Sequence, residues 1–110
     1  MVTESLGVVR VARQVLSTIV INAALQTPGI VRMAHAGIPR ARLIGKEIPK
    51  SGVALTIKDD TVSADLYIVV ESGVNIVEVG AAVQEEVASA IEEMIGMQVR
   101  EVNVYIQDVA

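Results

Sequence analysis

Residues 61–109 run TVSADLYIVVESGVNIVEVGAAVQEEVASAIEEMIGMQVREVNVYIQDV, and the reading of this stretch decides the fold. Up to residue 70 it alternates: Val62, Ala64, Leu66, Ile68 and Val70 against Thr61, Ser63, Asp65, Tyr67 and Val69. A period of two is the mark of a strand with one buried face, here the first set. After the turn Ser72-Gly73-Val74 the period changes. Val79, Val83, Val87 and Ile91 recur four residues apart, with Ile76, Ala90, Met94 and Ile95 beside them. That is the apolar stripe of a helix. Asn75 is suited to cap its start, with Glu78 three residues on in a capping-box-like arrangement. Gly96 is suited to end it. Then Val102, Val104 and Ile106 alternate with Glu101, Asn103, Tyr105 and Gln107, which predicts a strand over 97–109. A strand, a helix and a strand without a turn-back predict two parallel strands joined by a right-handed crossover.

Working outward, Val53, Leu55 and Ile57 alternate with Ala54, Thr56 and Lys58. With Asp59-Asp60 as the turn, residues 53–70 read as a hairpin, although Asp-Asp is a weaker turn signal than Asp-Gly. Leu6–Val11 is apolar and β-branched and predicts a short strand. Two helical rows follow: Val11, Val15, Ile19 and Ala23, then Ala12, Leu16, Val20 and Ala24. Thr27-Pro28-Gly29 stops that helix. Between about 33 and 52 no period is visible, and Gly37, Pro39, Gly45, Pro49 and Gly52 punctuate a long irregular loop. The expectation is one α+β domain over 1–110 in the order β-α-β-β-α-β. It is a two-layer sandwich with a small mixed β-sheet and two helices on one face.

Composition narrows the function. The chain is 52% hydrophobic with a mean hydropathy of +0.52, enough to build a core and to exclude disorder. It has two Tyr, no Phe and no Trp, so stacking platforms for bases or sugars are nearly absent. It has no Cys, which removes disulfides, thiol nucleophiles and thiolate metal sites. No signal peptide and no membrane-spanning run is readable, which predicts a cytoplasmic protein. The net charge of −4 is unevenly spread. Residues 32–50 carry Arg32, Arg40, Arg42, Lys46 and Lys50 against Glu47 alone. Residues 59–110 carry eleven carboxylates against Arg100 alone. Such a split gives the molecule directional electrostatics.

Candidate chemistry is sparse. Glu85-Glu86 and Glu92-Glu93 are adjacent on a helix, so their side chains diverge by about 100° and form a solvated or docking face rather than an acid–base pair. His35 stands alone and reads as a structural or surface residue. The serines lack a nucleophile elbow, and no phosphate-cradling glycine motif exists. No catalytic, cofactor or metal site is expected. Contact surfaces remain. Arg40, Arg42, Lys46 and Lys50 mark a basic loop that fits an acidic protein surface, another copy of this chain included. Nucleic acid through the same loop, as a binding or regulatory module, is the alternative; the acidic helix disfavours it. Tyr67, Val69 and Tyr105 project from the sheet face opposite the core and form a second candidate patch.

The C-terminal half resembles the alkaline shock protein family of bacteria, also called the envelope stress response family. Its hallmark is a strand ending in Gly-Val-Asn-Ile, a helix with Val-Gln-x-x-Val, and a closing Gly-hydrophobic-x-Val-x-x-Val-Asn-Val strand. Gly73, Val74, Asn75, Ile76, Val83, Gln84, Val87, Gly96, Val99, Val102, Asn103 and Val104 fit it. Gly7-Val8-Val9 and Pro28-Gly29-Ile30-Val31 match the N-terminal half more loosely. The resemblance implies a non-enzymatic cytoplasmic protein tied to cell-envelope homeostasis and alkaline stress. It implies self-association and, for some members, a membrane-anchored partner protein at the inner face of the membrane. It brings no catalytic residues. Gly73, Asn75 and Gly96 carry a structural motif within it, because Gly73 permits a backbone conformation that other residues resist and Asn75 caps the helix.

Overall fold

The structure, a computed structural model, describes residues 10–34 and 49–110. Its elements are α1 (Arg13–Leu25), β1 (Ile30–Met33), β2 (Val53–Lys58), β3 (Thr61–Val70), α2 (Ile76–Ala90), a single π-helical turn (Ile91–Ile95) and β4 (Gln98–Val109). The sheet is mixed and centred on β3. β2 pairs antiparallel with its first half, Lys58↔Thr61 to Val53↔Leu66. β1 pairs antiparallel with its second half, Met33↔Ile68 to Ile30↔Val70. β4 runs parallel along the whole of the opposite edge, from Thr61↔Gln98 to Val70↔Val109. The α+β class, the hairpin, the crossover unit and the two helices on one face are as expected.

β1 is an element the residues alone did not disclose. It follows Gly29, whose φ of +96° lets the chain turn sharply out of α1. Four residues are too few to show a period, so a strand partnered only through tertiary contact leaves no local signature. Of the expected strand Leu6–Val11, residues 6–9 lie outside the described residues. Arg10 and Val11 are exposed and not in a strand.

β1 and β2 lie end to end along one edge of β3 and meet at Tyr67. The Tyr67 N–H donates to the Gly52 carbonyl at 2.8 Å, and the Tyr67 carbonyl accepts from the Ala34 N–H at 2.7 Å. Gly52 has φ +80°, and a Cβ there would press on the Ala34 carbonyl oxygen. Ala34 and Gly52, far apart in the chain, are thus brought together at one point.

The core lies between the sheet and the helices. Val62, Ala64, Leu66, Ile68 and Val70 are fully buried, as the alternation predicts. Val79, Val83, Val87 and Ile91 meet them from α2. From α1 the buried residues are Leu16, Val20, Ala23 and Ala24. The second of its two apolar rows supplies Leu16, Val20 and Ala24, while the first reaches the core only at its end, through Ala23, and Val15 is 50% exposed. A helix lying on a sheet buries one stripe about 100° wide, so the neighbouring row faces out.

The ends of α2 behave as predicted. The Asn75 Oδ1 accepts from the Glu78 N–H at 3.0 Å. Gly96 adopts φ +82° and closes the helix. Its N–H donates to the Ile91 carbonyl, the i→i−5 bond of a π turn, and to that of Glu92. This turn explains one correction. Met94, expected beside the core row, is 68% exposed. Widening the last turn takes it out of register with Ile91. Ile76, in the first turn of α2, is also 45% exposed.

Candidate functional site

Of the expected basic cluster, Arg40, Arg42 and Lys46 lie outside the described residues, as does His35. Lys50 is exposed in the turn leading to β2. The aromatic patch is corrected. Tyr67 is 3% exposed and Val69 fully buried; with Ala34 they form a second small cluster on the far side of the sheet. Tyr105 packs against it, partly buried, its ring stacked on Tyr67 at 4.9 Å and 17°. Opposed positions on neighbouring strands hold the two rings in register. The pair therefore serves packing first, and of the three residues only Tyr105 is more than marginally exposed. Gly73 has φ +90° and open space around it, and it sits with Asn75 in the turn before α2 as the sequence predicted.

Two of the outer strands, β2 and β4, are each met by a side chain from a helix. The Arg13 guanidinium, from α1, donates to the Leu55 carbonyl of β2 at 2.6 Å. The Gln84 amide, from α2, donates to the Val102 carbonyl of β4 at 3.0 Å. Uncapped edge carbonyls invite foreign strands, so both contacts protect the sheet. They also give the Gln of Val-Gln-x-x-Val a physical task. On β4, the Asn103 amide donates to Asp65 at 2.9 Å and to Glu101 at 3.2 Å, tying the two parallel strands together on the outer face.

The remaining surface is one-sided. Glu78, Glu85, Glu86, Glu92 and Glu93 are all exposed along α2 and its π turn. Between α1 and α2 runs a groove of about 320 Å³, lined by Ile19, Ala23, Ala90 and Met94 together with Asn22, Gln26, Ser89 and the acidic Glu86 and Glu93. The Ser89 hydroxyl donates to the Glu93 carboxylate at 2.8 Å and holds it there. A second apolar strip lies where Ile76, Val77 and Ala81 of α2 approach Val104 and Ile106 of β4, and Val77 is 80% exposed. Among the described residues no group of three or more His, Cys, Asp or Glu is arranged to hold a metal ion. No described helix is long and apolar enough to cross a membrane. What the arrangement offers chemically is shape, apolar contact and negative charge.

The uncharacterized protein Spy1614 of Streptococcus pyogenes is 32% identical over 106 residues, covering 94% of this chain and 88% of its own length. The uncharacterized protein YqhY of Bacillus subtilis is 31% identical over 102 residues, covering 92% of this chain and 76% of its own length. Among solved structures, a MamM CTD fragment superposes with a TM-score of 0.56 at 14% identity, over 88% of this chain and 99% of that one. That likeness concerns the fold. A family model described as having a cell envelope-related function matches residues 1–110, and by that match and the resemblance of its turn, helix and closing strand the chain belongs to the alkaline shock protein 23 family.

Proposed function

We propose that this chain is a non-enzymatic scaffold of cell-envelope stress homeostasis, acting through self-association and the docking of partner proteins. The observation that carries this reading is the helical layer. Five exposed carboxylates share it with exposed Val77 and Met94 and with an open groove. Apolar surface rimmed by charge of one sign is the composition of a contact face. Membership of a family with a cell envelope-related function supports the setting. A membrane-anchored partner would hold such a cytoplasmic protein at the inner face of the membrane without a span of its own. Light scattering over a concentration series, with and without added salt, tests the self-association. The mass should rise with concentration and fall as salt screens the acidic helical layer from the basic residues of 32–50 on another copy. A single-chain mass at every concentration and salt would overturn it.

A further inference from the structure

The charge split along the chain and the groove between the helices answer each other, and the inference rests on the self-association proposed above. The groove is lined by apolar Ile19, Ala23, Ala90 and Met94, by polar Asn22, Gln26 and Ser89, and by acidic Glu86 and Glu93. Its far end is shaped by the π turn Ile91–Ile95, which turns Met94 outward instead of into the core. A π turn gives up regular helical geometry, and such turns are frequent at functional sites. The matching ligand has apolar side chains interleaved with cations. This chain carries such a segment: residues 38–50 read IPRARLIGKEIPK, in which Ile38, Leu43, Ile44 and Ile48 are interspersed with Arg40, Arg42, Lys46 and Lys50 and the single acid Glu47.

We propose that the groove between α1 and α2 receives the basic segment around residues 38–50 of a second copy of this chain. The apolar residues of the segment cover Met94 and Ile19, and its arginines and lysines face Glu86 and Glu93. The charges are opposite in sign: Glu86 and Glu93 line the groove within a region, 59 onward, of eleven carboxylates and one cation, while residues 32–50 hold five cations and one carboxylate. The attachment points suit this. Ala34 and Gly52, which flank the segment in the chain, meet at Tyr67 on the β1/β2 side of the sheet. The surfaces that meet are different parts of the chain, so the contact is heterologous.

Charge exchange tests it. Glu86→Lys with Glu93→Lys reverses the groove's charge at two exposed positions; Arg40→Glu with Arg42→Glu reverses the segment. Each double variant, shown to be folded by its thermal melt, should self-associate roughly tenfold or more weakly than the parent. Mixed together, the two should associate with each other, because each then offers the charge the other lacks. Variants that self-associate as the parent does, or a mixture that stays monomeric while the parent associates, would overturn the groove assignment and leave the scaffold reading standing. A parent that stays monomeric throughout would remove both.

Discussion

The two edges of β3 are built in opposite ways. Along one runs a single strand of twelve residues, β4, delivered by one helix and held in parallel register from end to end. Along the other, strands of four and six residues divide the work and meet at Tyr67. The first edge depends on an unbroken local pattern. The second depends on one junction where two distant pieces of backbone are brought within van der Waals contact. A fold assembled this way should be broken globally by damage to the crossover unit and locally by damage to the junction.

The largest effect is expected from Val87→Asp. Val87 is fully buried between α2 and the sheet, and an unpaired carboxylate there should cost more than about 4 kcal/mol. Circular dichroism should show an unfolded chain, and a cooperative melt would mean the register of α2 is wrong. Next comes Gly52→Ala at the junction. It combines a left-handed φ with a Cβ driven onto the Ala34 carbonyl and Met33, so a loss of roughly 2–3 kcal/mol is expected. Gly73→Ala provides the control. It shares the left-handed φ but has open space, and should cost only about 1 kcal/mol. Equal losses in denaturant midpoint would show that close approach at the junction is unimportant. Gln84→Leu should remove about 1 kcal/mol by leaving the Val102 carbonyl without its amide donor. Hydrogen exchange should rise along β4 and leave β2 unchanged; uniform exchange would separate Gln84 from the edge. Asn75→Ala should cost on the order of 1 kcal/mol through the lost cap, and an unshifted melting curve would count against the cap's contribution.

The same contrast explains what could be read in advance. Thr61–Val109 was legible because every signal in it is local: alternation in β3, a four-residue row in α2, Asn75 and Gly96 at the helix ends. Ile30–Met33 was not, because a four-residue strand acquires its identity only when Val70 and Ile68 lie beside it. The two apolar rows of α1 were equivalent on paper, and only its seat on the sheet selected Leu16, Val20 and Ala24. The Tyr67 and Val69 patch was misjudged for a related reason. Alternation places them on the face away from the helices, but whether that face is covered depends on contacts remote in sequence. The candidate site was legible as charge and composition. The groove was not, since it exists only where two helices and a π turn come together.

By itself, then, the sequence determined the crossover unit, the aliphatic core row, the caps of α2 and the sign of charge each half would carry. These depend on residues within a few positions of one another. The tertiary structure alone decided that β1 completes the second edge, that Tyr67 and Tyr105 stack as packing, that Gln84 guards β4, and that Met94 lies in a groove with Glu86 and Glu93. Those features require backbone and side chains from distant positions to meet at a few ångströms, and no local periodicity encodes that distance.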